Sequence, residues 1–463
     1  MGRACCQVSS LVKARRDSFK SPKPDAVRVL VYDILSEVNH RGGYSNLLLP
    51  QALTASNFEV RDKGFATELL YGTLRMQGRH DYILQQVADR PLSEVDPGIV
   101  DICRLGVHQL FEMRVATHAA VAATVELARK VIGESKASYV NAILRKVSAV
   151  SLEEWLAPIE EIKDPVVKLA ILYSHPEWVV SAYYDLLKDF ALVEEELAAN
   201  NVPAMPTLVS WPGESTQEDL IELGGVATSF SPYGAHFQGS PGSLELIRHR
   251  KAGVQDEGSQ LVADIFMKFA RNAENILDLC AGPGGKAALI SHLARRNGKK
   301  FFANEISEPR AALVKKVIGS FPVIVGDGRD IASQPVRFDA ILADVPCTGL
   351  GALRRRPEVR WRRTLQDLRA LTELQRELSD AAISVLNDGG IFGYATCSPH
   401  FAETSAQVQM ILKNHPELEQ LDVAECMPSE LIGATRGPNF SLWTGRHETD
   451  SMFLAIFRKR VHA

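Results

Sequence analysis

The stretch NILDLCAGPGGKAALI, residues 275–290, decides the fold. An apolar run ends at Asp278 and Cys280, three glycines follow within four positions, and then helix-forming residues begin. This spacing predicts a strand, a tight turn and the first turn of a helix. Gly282, Gly284 and Gly285 let the backbone bend and approach a ligand with no Cβ in the way. The helix that follows offers unpaired N–H groups. Downstream the unit repeats: KFFANE (300–305), PVIVGD (322–327), FDAILADV (338–345) and GIFGYAT (390–396) read as strands, with amphipathic helices such as 367–386 between them. Such alternation predicts a parallel sheet with helices on both faces and ligands at the carboxyl ends of its strands. SMFLAIFRK (451–459) reads as a late strand added antiparallel at one edge.

Upstream the text changes character. Residues 24–150 carry apolar positions at three- and four-residue spacing and predict an all-helical domain. Residues 151–200 read as a helical connector, and 201–260 as a small α+β module. Residues 261–463 form the strand–helix unit, and residues 1–23 read as a disordered leader. The leader is basic, serine-rich and lacks a long apolar core, which excludes a secretory signal. A cytoplasmic protein is expected, with organelle targeting as the alternative.

The chain has 463 residues, too many for one core, and a net charge of −4. That balance excludes a surface basic throughout; a nucleic-acid site would be a local patch. Seven cysteines without a C-x-x-C pair exclude a disulfide framework and a zinc site, so no metal is expected. No apolar run reaches membrane-spanning length. Cys5, Cys6, Cys103 and Cys426 read as small hydrophobes.

At the turn itself two ligands remain open. Glu305 ends the second strand, where an acid accepts ribose hydroxyls, and Asp327 ends the third, where it reaches an adenine amino group. NAD and S-adenosylmethionine satisfy this pattern equally. The tie breaks at two cysteines: Cys347 in ADVPCTGLG follows the fourth strand, and Cys397 in ATCSPH follows a later one. Hydride transfer gives no reason for two thiols at the ligand edge. Methylation of a pyrimidine does, because carbon 5 of cytosine becomes nucleophilic only after a thiolate adds to carbon 6. The thiol must ionise, so an electropositive or helix-N-terminal setting is expected for Cys397.

DLCAGPGGK, DVPCTGLG followed by RRRPEVRW, and YATCSPH, in this order, resemble the Sun-type RNA cytosine-5 methyltransferases. THAAVAATVELAR and VNAILRKV resemble the NusB-like domain that precedes the catalytic part in the bacterial ribosomal RNA members, and KAGVQDEGSQLVAD resembles the segment leading into their cofactor domain. The resemblance implies a NusB-like helical domain, a small α+β module and a Rossmann-like α/β methyltransferase domain. It implies Cys397 as the attacking nucleophile and Cys347 as the group that assists product release. Cys280, Ala281, Gly282, Pro283, Gly284, Gly285 and Lys286, with Glu305, Asp327 and Asp344, would hold S-adenosylmethionine; Asp344 would lie between cofactor and base and take part in catalysis. The implied activity is 5-methylcytosine formation in ribosomal RNA, most naturally the 16S small-subunit RNA, by a monomer. Transfer RNA and a catalytically inactive RNA-binding assembly factor are the alternatives. Thr348, Ala402–Thr404 and Ser451 depart from the usual pattern, which favours serine, Glu-Glu-Asn and glycine at these places.

The target base must be single-stranded, looped or flipped out for carbon 6 to be reached. Arg354, Arg355, Arg356, Arg360 and Trp361 follow the Pro-Cys motif, with Arg362 and Arg363 beside them. Guanidinium forks and an indole face suit phosphates and bases, so this run is the expected RNA patch.

Overall fold

A computed structural model of the protein describes residues 25–431 and 433–461. The leader expected at residues 1–23, with Cys5 and Cys6, lies outside the described residues. From Ala26 to Val147 the chain folds as helices, beginning with Ala26–Arg41, Ser45–Ala55, Val60–Arg75 and Gln77–Val87. The Asp25 side chain accepts from the Val27 N–H and starts the first helix, which ends where Gly42 takes a left-handed φ of 78°. Leu69, Leu70, Leu74, Leu105 and Leu127 come inward at helical spacing and are buried together.

The helices Pro165–Leu172, Glu177–Leu187 and Phe190–Ala199 follow. They are more than a connector. Leu169, Val179, Val180, Tyr183, Val193 and Leu197 share one core with Leu350, Leu353 and Val359, the segment just beyond the Pro-Cys motif. Strands β1 (Thr207–Ser210), β2 (Val226–Ala227), β3 (Gly234–His236) and β4 (Ala252–Val254) then pair antiparallel in the order β2-β3-β1-β4. Trp211 of this module stacks on His292 of the larger domain at 5.8 Å.

The larger sheet contains β5 (Asn275–Asp278), β6 (Lys300–Glu305), β7 (Val323–Val325), β8 (Phe338–Asp344) and β9 (Leu386–Thr396), then β10 (Leu418–Leu421), β11 (Thr435–Arg436), β12 (Asn439–Ser441) and β13 (Phe453–Lys459). Its order is β11-β12-β13-β9-β8-β5-β6-β7, with β10 also on β13. Strands β5 to β9 are parallel, as the alternation predicts. β13 is antiparallel to β9 but is not an edge, because β12 and β10 pair along its other side. The chain leaves β5 toward β6 and β7, then returns to place β8 on β5's opposite flank. The crevice between the ends of β5 and β8 is therefore the switch point where such sheets bind ligands. Both the glycine turn and the Pro-Cys loop open there.

Candidate active site

A cavity of about 420 Å³ occupies this crevice, lined by Cys280, Gly282, Pro283, Glu305, Asp327, Asp344, Cys347 and Cys397. The carboxyl ends of five strands, β5 to β9, and the loops that leave them bring these residues together from more than a hundred positions of sequence. The turn is built on close approach. A Cβ at Gly282 would stand 2.1 Å from Glu305 Oε2, the oxygen that accepts the Gly282 N–H at 3.0 Å, and Gly284 holds φ at 118°. Ala281 donates its N–H to the Asn304 carbonyl, and Gly284 and Gly285 pass into the helix Gly285–Arg296. Lys286 turns back to Asp344, Nζ to Oδ2 2.7 Å. Glu305 also accepts from the Ser307 N–H and Arg310, and Asp327 from the Arg329 backbone and side chain.

The two sulfurs stand 3.4 Å apart, Cys347 Sγ to Cys397 Sγ. Gly351 donates its N–H to the Cys397 carbonyl, which locks the two loops together. The contact with Cys347 holds the Cys397 thiol below its ordinary range against the cost of burial; Lys286 helps, while Asp344 and Asp450 oppose. Cys347 is driven the other way, by the bond to Cys397, by burial and by the Cys397 and Glu403 charges. The electropositive setting expected for Cys397 is not what surrounds it: Lys286 stands there with two acids, Asp344 and Asp450, and the contact with Cys347 is the larger cause of the lowered thiol. Cys397 does not sit at a helix N-terminus; the chain beyond it enters only the short turn Phe401–Glu403.

Residues 266–458 match a family model described as 16S rRNA methyltransferase RsmB/F, and residues 25–149 match the NusB family. The chain is 40% identical over 445 residues to a putative methyltransferase of Mycobacterium tuberculosis, covering 94% of this chain and 97% of that one. It is 32% identical over 399 residues to the ribosomal RNA small subunit methyltransferase B of Pseudomonas putida, covering 82% and 87%. The chain belongs to the RsmB/F methyltransferase family. The solved structure of PH0851 has the same fold, with a TM-score of 0.78 at 20% identity, covering 94% of this chain and 98% of that one.

The crevice of this methyltransferase suits a cation. Asp278 is 1% exposed, and neither of its oxygens has a well-formed hydrogen bond; the Cys280 amide only leans toward it. With Asp344 and Glu305 nearby, acids outnumber the Lys286 and Arg310 charges that answer them. A sulfonium and an ammonium would complete that balance.

The arginine run resolves differently from its reading as one patch. Arg360 is 0% exposed. Its guanidinium donates to the carbonyls of Arg75, Ser174 and Asn200 and to the Asn201 side chain, so it joins the helical domain to the catalytic loop and is not an RNA contact. Burial, and then Arg75, push it down to about 9, which leaves it charged at neutral pH. Trp361 is half-buried against Gly78 of the helical domain. Arg355 pairs with Asp450, and Arg354 lies 3.7 Å from Asp256 and 3.9 Å from Asp450. Arg356 lines the cavity together with Arg363, and neither forms an ion pair among the described residues.

Two participants, Tyr44 and Gln375, had no signal in the motifs, and a third, Glu403, stood out only within the run that departs from Glu-Glu-Asn. Tyr44, from the helical domain, lines the cavity beneath the guanidiniums of Arg356 and Arg362, 4.9 and 5.2 Å from its ring centroid. Gln375 and Glu403 lie behind the Pro-Cys loop. Among the described residues no group of three or more His, Cys, Asp or Glu could hold a metal, and no helix is long and apolar enough to cross a membrane.

Proposed function

We propose that this protein methylates carbon 5 of a cytosine in small-subunit ribosomal RNA through a transient bond from Cys397 to the ring. The observation that carries the reading is the pair of sulfurs 3.4 Å apart in the same cavity as the glycine turn. The family description and the name of the Pseudomonas relative, a ribosomal RNA small subunit methyltransferase, support the choice of RNA.

Cys280 to Lys286, Glu305, Asp327 and Asp344 would hold S-adenosylmethionine, which supplies an electrophilic methyl group. Cys397, as thiolate, adds to carbon 6 and pushes an electron pair to carbon 5. Asp344, tethered by Lys286, would face the ring-nitrogen and amine edge, where a hydrogen-bonding acid eases that addition. After transfer, carbon 5 carries both the new methyl and its original proton. Loss of that proton to solvent restores the 5,6 double bond and expels the Cys397 sulfur. The Cys347 S–H, at hydrogen-bond distance, stabilises the departing thiolate. Arg356 and Arg363 at the rim would take phosphates.

The test is a denaturing gel of the full-length protein with small-subunit RNA and S-adenosylmethionine. Cys347→Ala should accumulate a slow protein–RNA band, and Cys397→Ala should give neither band nor methyl transfer. Turnover by Cys397→Ala would overturn the assignment. Mapping 5-methylcytosine in cellular RNA with and without the protein identifies the substrate; an unchanged small-subunit RNA excludes it.

A further inference from the structure

Behind the two sulfurs lies an acid that the chemistry above leaves unused. Glu403 is fully buried and, among the described residues, has no lysine or arginine partner. Its carboxylate instead collects donors: the Thr348 N–H at 2.8 Å, the Thr348 hydroxyl, and the Gln375 amide at 3.1 Å. Donors set in this way favour the ionised form of a carboxyl group. The same Gln375 amide donates to the Pro346 carbonyl at 2.9 Å, and the Tyr394 hydroxyl bonds the Glu403 carbonyl at 2.8 Å. Glu403 therefore grips the residues on both sides of Cys347.

The charges around the sulfur pair are asymmetric as a result. Glu403 lies behind Cys347, with the buried Tyr394 phenol and the Thr396 hydroxyl near it. Lys286 faces Cys397, with Asp344, Asp450 and Arg355 around it. Two thiols in contact share protons as a unit, and a fixed charge on one side decides where the proton stays.

We propose that Glu403 is the positioning residue that selects the nucleophile: its charge, anchored behind the Pro-Cys loop, keeps the shared proton on Cys347 and leaves Cys397 as the thiolate. The inference rests on Cys397 being the attacking sulfur and adds what makes it so. It also gives Cys347 the S–H that the expulsion step needs.

The test reads the free full-length protein. Limiting iodoacetamide is applied across pH 6 to 9, and peptide mass spectrometry scores the alkylation of each cysteine. The wild type should label Cys397 in preference to Cys347, and Glu403→Gln should shrink that preference by roughly tenfold and move the Cys397 profile to higher pH. Glu403→Asp, which keeps the charge, should restore most of the preference. A purely structural role would lower the thermal midpoint and open the buried Cys103 to label without changing the preference. An unchanged preference in folded Glu403→Gln overturns the proposal. Should that variant lose its cooperative thermal transition, Glu403→Asp alone is decisive: it keeps the charge and should keep most of the preference, and loss of the preference in folded Glu403→Asp refutes the idea. Because no RNA is present, the result stands apart from whether Cys397 attacks cytosine, which the adduct gel decides.

Discussion

At the scale of single residues, the acids of the crevice make a pH-dependent prediction. Burial, then the neighbouring Asp344, push Asp278 up to about 7, with Lys286 opposing. An unfolded chain loses this proton near pH 4. Between about pH 4 and 7 the folded protein thus holds a proton that the unfolded chain has released, so Asp278 costs stability as pH rises through that window and adds no further loss above it. A cationic cofactor favours the ionised carboxylate. Calorimetric affinity for S-adenosylmethionine should rise by up to roughly tenfold from pH 6 to pH 8. Asp278→Asn should flatten that rise and stabilise the unliganded protein at pH 8. A slope that survives in Asp278→Asn assigns the titration elsewhere. The strand-end acids and cysteines were legible in the sequence because each sits in a motif beside the turn it serves. Gln375 and Tyr44 were not, and Glu403 showed only within the Ala402–Thr404 run, without a role: what gives them one is approach across 28 to 300 or so positions of chain, which local spacing does not encode.

At the scale of elements, the arginine run shows how a composition signal misleads. Residues 359–362 form one helical turn, and successive residues on a helix point about 100° apart. Arg360, Trp361 and Arg362 therefore diverge, and one of them goes to the interior. Arg360→Ala would leave three carbonyls without a donor and is expected to destabilise the protein by about 3–5 kcal/mol, seen as a lower thermal midpoint. The salt dependence of RNA binding should not change in that variant. Arg356→Gln with Arg363→Gln should do the opposite, preserving the midpoint while reducing the log–log salt slope by about 0.7 for each lost contact. The edge placement expected for β13 failed for a related reason. β11 and β12 are two and three residues long, too short to show any period, so their pairing was invisible before the fold was.

At the scale of the whole molecule, the NusB-like helices contribute to the catalytic cavity itself. Ser45 donates to Glu358, Arg362 donates to the carbonyls of Val38 and Gly43, and Tyr44 between them lines the cavity. Tyr44→Ala in the intact chain should raise the KM for RNA by roughly tenfold, within the range of a lost aromatic contact to a nucleotide, and should change kcat less. Tyr44→Phe should behave nearly as the wild type. Equal KM values for the alanine variant and the wild type would reduce the tyrosine to interdomain packing. The alternation of strands and helices, and the helical period before it, made the separate folds readable; their docking was not, since it depends on shape.

Arg360 also bears on how the protein is born. The carbonyls it gathers belong to residues 75, 174 and 200, all translated well before codon 360 is reached. A nascent chain stalled at the small α+β module keeps those oxygens wet and leaves the apolar faces of Val179, Val193 and Leu197 waiting for Leu350 and Leu353. The N-terminal half thus remains an unfinished surface during synthesis, open to chaperones, until the catalytic loop emerges and closes it.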